Sequence, residues 1–347
     1  MRNLDRYHFS LTRALTVSSL LTIAALGGQA SAQTDGVQME EVTTVIQLGD
    51  SYSAGFGVLD TDVPGPPDGQ THCDDPKYSR QEVSPGYRLT ELIEAETGRD
   101  IEFVFEACGG AQVFEDGSAD LASQWEQAKN QLLDLEVELG AGEGTVIVLT
   151  FGGNDVRTVG GDSWVDVVTY CTFEVDPFHD CNAYPNAYYL QIHNLPEIQL
   201  EVAIALANIA AEVPEATIRY LGYPIPFQPV HSVALSLPGG PFIGLPPTCL
   251  GMTGLSIYEA NFLDSQANVL NSVLENAVFL ANGTTVVDLG YVDVDSYFRQ
   301  HGACSTTQPF VNDIDWIAPF VPEANSLHPL QQGWNAYFQA LRDDLGW

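Results

Sequence analysis

Basic side chains are scarce in this sequence. Its 347 residues hold 12 Lys and Arg, with lysine only at Lys77 and Lys129, against 46 Asp and Glu, for a formal net charge of −34. Such a surface repels phosphate backbones and anionic bilayers, which argues against a nucleic-acid partner. Long apolar runs are missing beyond the N-terminal stretch, so no stable membrane anchor is expected. No two cysteines stand in C-x-x-C spacing, so a zinc site is not expected, nor is any other metal or cofactor. Internal repeats and long low-complexity linkers are absent too, which points away from solenoids and arrays.

What is present begins with a leader. Arg2, Arg6 and Arg13 precede an apolar stretch from Ala14 to about Gly27, and Ala30-Ser31-Ala32 follows with small residues. That is the layout of a signal peptide over 1–32, too short to span a bilayer. Residues 33–44 read as an acidic lead-in and 45–347 as a single domain, secreted and monomeric. The six cysteines, Cys73, Cys108, Cys171, Cys181, Cys249 and Cys304, are an even number in an exported chain. Three disulfides are expected, with about fifteen pairings open.

Short apolar, β-branched runs predict strands over 44–48, 101–107, 145–150, 216–222 and 285–289. Between them, helices are predicted over 85–98, 120–139, 190–213 and 256–281, and a last one from Pro329 to about 345. Strand and helix alternate throughout. The expected fold class is therefore α/β, a three-layer α/β/α sandwich around a five-stranded parallel sheet. Residues 227–252 break the rhythm: Pro229, Pro238, Pro241, Pro246 and Pro247 lie among apolar residues. They predict a long loop that serves as a lip for an apolar substrate.

In open α/β sheets, ligands bind beyond the carboxyl ends of the strands. Three predicted strands end there in chemically suggestive residues: Gly49-Asp50-Ser51, Cys108-Gly109-Gly110 and Gly152-Gly153-Asn154-Asp155. The last helix follows His328. A serine hydroxyl is a poor nucleophile until a base accepts its proton, and a neutral imidazole does so near neutral pH. A developing oxyanion needs fixed donors, and losing one costs about 3–4 kcal/mol. The backbone N–H groups of Ser51 and Gly110 and the Asn154 amide are candidates. These parts suit acyl transfer.

The blocks GDSYSAG (49–55), ACGGA (107–111), FGGND (151–155) and SLHP (326–329) resemble those of the SGNH (GDSL) hydrolases, a flavodoxin-like family. The likeness is strongest to its secreted actinomycete-type lipases and esterases, and QHGACS (300–305) matches a further His/Cys piece. It spans about 45–347. It implies Ser51 as nucleophile, His328 as base, and Gly110 and Asn154 as oxyanion donors. It also implies disulfides joining neighbours: Cys73–Cys108, Cys171–Cys181 and Cys249–Cys304. The implied activity is hydrolysis of carboxylic or lipid esters. A carbohydrate acetylesterase and a non-catalytic exported lipid- or sugar-binding protein are the alternatives.

The chain departs from the family at two positions. Many members have Asp three residues before the histidine, where this chain has Asn325. A neutral amide does not stabilise imidazolium as a carboxylate does. The expected third partner is a backbone carbonyl, from Asn325 or Ser326, with Asp313 or Asp315 as the alternative. Gly109 stands where serine is common. Asp50 and Asp155 are expected to hold loops through backbone hydrogen bonds. His72, His179, His193, His231 and His301 read as structural or surface groups, and 52–57 as a flexible wall beside the substrate. Asn282-Gly283-Thr284 fits a glycosylation acceptor.

Overall fold

The computed structural model describes residues 37–58, 81–114, 120–173, 181, 183, 185–227, 255, 257–303, 305, 308–312, 316–318, 321–322 and 326–347. The expected leader, Cys73, Cys249, Cys304, His72, His179, His231, Asp313, Asp315 and Asn325 lie outside these residues, as does the proline-rich stretch beyond Phe227.

Five parallel strands form the central sheet. They are β1 (Thr44–Gly49), β2 (Glu102–Phe105), β3 (Thr145–Thr150), β4 (Thr217–Leu221) and β5 (Asp288–Val292), in the spatial order β2-β1-β3-β4-β5. β1 and β3 run in register from Thr44↔Thr145 to Gly49↔Thr150. Both are buried along their whole length, which is why they read as apolar runs, interrupted in β1 by Gln47, whose amide is satisfied by the Val148 carbonyl and the Gly86 N–H. The nine α-helices among the described residues are α1 (Ser51–Ala54), α2 (Pro85–Thr97), α3 (Leu121–Asp134), α4 (Trp164–Phe173), α5 (Asn186–Tyr189), α6 (Leu195–Glu212), α7 (Ile257–Asn282), α8 (Asp295–Phe298) and α9 (Gln331–Leu345). A separate antiparallel pair, β6 (Trp316–Ala318) and β7 (Val321–Pro322), precedes α9.

Alternation along the strands divides the core. Ile46, Leu48, Ile147 and Leu149 face a layer built from α3, α6 and much of α7. Val45, Val146 and Val148 face the other layer, with Leu89 and Ile93 of α2 and Trp334, Tyr337 and Leu341 of α9. This is the expected three-layer sandwich. The sheet order reverses direction between β1 and β3, and in such sheets that switch point opens a crevice at the carboxyl ends.

Several boundaries differ from expectation. β5 starts at Asp288, three residues late. Val286 is 85% exposed, and Thr284 and Thr285 turn their hydroxyls onto the Ala281 carbonyl at the end of α7. β-branched residues there finish a helix and do not start a strand. α3 stops at Asp134 and not at Gly140, because Glu136 takes a positive φ of 59°. α4, rich in β-branched residues, was not anticipated; buried Val167, Val168 and Cys171 hold it in place. The end of the acidic lead-in is tied to the fold: Val42 is fully buried, and Thr43 N–H bonds the Gly144 carbonyl at 2.8 Å.

Candidate active site

The serine turn is built by constraint on Gly49. Its φ is +132°, and a Cβ there would meet the Thr150 carbonyl at 2.6 Å and the Ser53 side chain closer still. Gln124 of α3 clamps the same residue: Gly49 N–H donates to Oε1 at 2.7 Å, and Nε2 donates to the Gly49 carbonyl at 2.9 Å. Asp50 N–H bonds the Thr150 carbonyl at 2.9 Å, and Asp50 Oδ1 caps α1 by accepting from Tyr52 N–H at 2.9 Å. Ser51 therefore stands at the first position of a short helix at the mouth of the crevice. Residues 52–57, expected as a flexible wall beside the substrate, form the end of α1 and the turn after it, with Tyr52 lining the cavity and Ser53 and Ala54 fully buried.

His328 reaches Ser51 from 277 residues away, with Nε2 2.7 Å from Oγ. Its loop is latched to the preceding segment. Val311 and Pro329 form an antiparallel bridge. Asn312 donates to the His328 carbonyl from its backbone N–H at 2.9 Å and from Nδ2 at 3.0 Å, and Nδ2 also reaches the Gly57 carbonyl. Because of this bridge Pro329 does not open α9, as the sequence suggested; α9 starts at Gln331, with Leu330 as its cap. The imidazole lies between Tyr52 and Phe56, with ring centroids 5.0 and 5.5 Å away. Tyr52 Oη donates to the Leu327 carbonyl at 2.9 Å. Leu327 sits at φ 62°, a left-handed conformation unusual for leucine, which this bond helps hold. His328 Nδ1 is buried. Ser326 lines the cavity beside it.

Two other strand ends complete the floor. The turn after β2 brings Gly110, at φ 82°, to the cavity wall, anchored by Cys108 N–H on the Gly49 carbonyl at 2.8 Å. Asn154, after β3, donates one Nδ2 hydrogen to the Ala111 carbonyl at 2.9 Å. A primary amide has a second hydrogen. The two loops are stitched further: Gln112 Nε2 donates to the Asn154 carbonyl at 2.9 Å, and the Asp155 carboxylate accepts from Val113 N–H at 3.1 Å. Asp50 and Asp155 thus do hold loops through backbone donors.

One partner was not anticipated. Tyr223, just past β4, donates its hydroxyl to Asp50 Oδ2 at 2.5 Å and accepts from Gly153 N–H at 2.8 Å. Asn271 of α7 grips the Tyr223 backbone on both sides, at 2.9 and 2.7 Å. Burial pushes the Asp50 carboxyl up to about 7, although the Tyr223 hydroxyl and the Tyr52 N–H pull it down. Gly222-Tyr223-Pro224 is a strand end like the other three, and that position was the available signal.

These residues enclose a cavity of about 480 Å³ lined by Ser51, Gly110, Asn154 and His328 together with Trp164, Val165 and Val168 of α4 and Ala267 and Leu270 of α7. Its acidic and basic lining residues, besides His328, are Asp50, whose oxygens are both engaged, and Arg157. No group of three His, Cys, Asp or Glu among the described residues is placed to hold a metal ion. Of the disulfides, Cys171–Cys181 closes at a Cα–Cα distance of 5.3 Å, and Cys108 is disulfide-bonded. His301 lies apart from the cavity, stacked on Phe310 at 4.0 Å with Nδ1 2.8 Å from the Gln308 carbonyl. His193 is exposed, as is Asn282 of the candidate glycosylation triplet.

Fold and floor together define a flavodoxin-like α/β/α sandwich with a serine–histidine pair at its switch point. Solved structures share that architecture. The extracellular lipase from Streptomyces rimosus matches with a TM-score of 0.55 and 21% identity, over 87% of this chain and 99% of that one. Phospholipase A1 from Streptomyces albidoflavus NA297 matches with a TM-score of 0.54 and 21% identity over the same shares. The expected three-layer α/β/α fold around a five-stranded parallel sheet is the observed one. No family model and no curated protein matches the sequence.

Proposed function

We propose that the protein is a secreted ester hydrolase working through an acyl-enzyme on Ser51. The observation that carries this reading is the 2.7 Å approach of His328 Nε2 to Ser51 Oγ on the floor of the cavity. Ser51 Oγ attacks the ester carbonyl while His328 Nε2 takes its proton. The oxyanion is held by the N–H groups of Ser51 and Gly110 and by the second hydrogen of the Asn154 amide. His328 then gives the proton to the departing alcohol. Water attacks the acyl-enzyme with His328 again as base, releasing the acid and restoring Ser51. A backbone carbonyl of Asn325 or Ser326 orients the imidazole through Nδ1.

The apolar walls from α4 and α7 favour an acyl chain over a sugar ring, which supports a lipase or esterase ahead of a carbohydrate acetylesterase. The Streptomyces lipase and phospholipase A1 of the same fold agree with that choice. Export is supported by the leader-like residues 1–32 and by the Cys171–Cys181 bridge. Among the described residues no helix is long and apolar enough to cross a membrane.

A fluorophosphonate probe tests the reading. Wild type is expected to be labelled at Ser51, with Ser51→Ala unlabelled and inactive. Folded wild type that resists the probe and leaves p-nitrophenyl esters of every chain length intact would overturn it. Faster turnover of acetylated xylan than of any aliphatic ester would move the substrate to the sugar class.

A further inference from the structure

The cavity contains one arginine, on the loop that carries Asn154. Arg157 Nη1 donates to the Asn154 carbonyl at 3.0 Å and to the Val156 carbonyl at 2.7 Å. Those two bonds use both Nη1 hydrogens and fix the plane of the guanidinium. The Nε–Nη2 edge has no protein partner among the described residues. That edge is a planar two-donor fork, the geometry that grips a carboxylate or phosphate with two parallel hydrogen bonds. No carboxylate pairs with Arg157 among the described residues, in a chain with 46 acidic side chains. By contrast Arg219 is bridged to Asp288 and Asp344, and Lys129 to Glu126 and Glu212.

We propose that Arg157 is a specificity-determining residue that binds an anionic oxygen group, carboxylate or phosphate, carried by the ester substrate. This rests on the ester-hydrolase reading above. The formal net charge of −34 opposes the approach of any anion, so the selection is local, exerted where the substrate meets Arg157 in the cavity. Salt separates the two effects. Screening lowers the long-range repulsion, while a desolvated two-bond contact is screened much less. Turnover of the anionic ester by wild type therefore rises with salt relative to its neutral partner.

Two matched ester pairs test the proposal, each differing by one charge. The carboxylate pair is mono-p-nitrophenyl adipate and its methyl ester. The phosphate pair is dihexanoylglycerol phosphate methyl ester and its neutral dimethyl phosphotriester. The readout is the ratio of kcat/KM, anionic over neutral, which cancels any loss shared by both esters through loosening of the Asn154 loop. In Arg157→Gln the ratio is expected to fall about tenfold to a hundredfold in at least one pair, the loss of a charge-assisted contact. The pair that moves identifies the group. Arg157→Lys restores part of the ratio, as a point charge without the fork. An unchanged ratio in both pairs overturns the proposal and leaves Arg157 as a loop brace. Binding of the same pairs to Ser51→Ala and to Ser51→Ala/Arg157→Gln, followed by calorimetry, reads the contact without chemistry. It decides the role of Arg157 even if wild type hydrolyses neither pair, a result that counts against the hydrolase reading alone. Equal affinity of both variants for the anionic members overturns the proposal there too.

Discussion

Replacing Tyr223 with Phe removes one oxygen that serves two loops. The hydroxyl bonds Asp50 Oδ2 at 2.5 Å and takes the Gly153 N–H at 2.8 Å. The phenyl ring keeps the packing against Tyr52, whose ring centroid is 5.0 Å away in an edge arrangement. The cost is therefore the polar groups left behind. A stranded backbone N–H costs about 1–3 kcal/mol, and a lost bond to a charged acceptor about 1.5–3 kcal/mol. With the carboxylate ionised, the two give about 2.5–6 kcal/mol, a large share of a typical stability.

The pH dependence distinguishes this account from a simple packing defect. Burial raises the folded Asp50 carboxyl from 3.8 to about 7, so the folded state keeps a proton that the unfolded chain releases. Stability from this group falls as pH rises between those values and is level above them. The Tyr223 bond pulls the folded value down, so Tyr223→Phe moves it further up and extends the falling window above pH 7. Urea titration of wild type and variant is expected to show a loss of about 1–3 kcal/mol near pH 5.5 and about 2.5–6 kcal/mol near pH 9. Equal losses at both pH values, or a larger loss in acid, would refute a carboxylate held by Tyr223.

Two more outcomes follow from the histidine loop. Gly57 sits at φ +108°, and a Cβ there would collide with the Pro329 carbonyl and lie 3.1 Å from His328 Cβ; Gly57→Ala is expected to lower kcat about a hundredfold by displacing the imidazole, and esterase activity within twofold of wild type would count against that geometry. If a backbone carbonyl orients His328, Asp313→Asn and Asp315→Asn each retain turnover within about tenfold of wild type, whereas a thousandfold or greater loss in a folded variant identifies a carboxylate partner.

The sequence disclosed most where one residue type had one reason to be present. β1 and β3 are buried along both faces, so their apolar runs located them to within a residue. The glycines at strand ends marked where backbone had to turn sharply, and the residues that follow form the cavity floor. What stayed hidden depended on distant partners. Val167 and Val168 stand in a helix because the core takes them there, against the strand preference of valine. Pro329 looked like the first residue of a helix, and only its pairing with Val311 reveals that it ends a bridge. Tyr52 and Arg157 gave no local signal, since their partners are a carbonyl 275 residues away and a cavity assembled from several loops.

Asp50 shows how the strand-end blocks after β1 and β3 form one site. Its two oxygens are divided: Oδ1 caps the helix that begins with Ser51, and Oδ2 reaches through Tyr223 to Gly153, next to Asn154. In the proposed mechanism the serine–glycine–asparagine floor needs its donors fixed relative to Ser51, because hydrogen bonds to a developing oxyanion act only if they require no rearrangement. A buried carboxylate is a costly way to obtain that rigidity, and burial accordingly displaces its titration upward. An amide at position 50 is similar in size and also accepts from Tyr52 N–H, but its Nδ2 donates. It would turn two donors onto the Tyr223 oxygen and strand the tyrosine's own hydrogen. Only an acceptor at Oδ2 lets the tyrosine donate to one loop and accept from the other. The acid in Gly-Asp-Ser is thus explained by hydrogen-bond polarity across the switch point, with no proton transfer required of it.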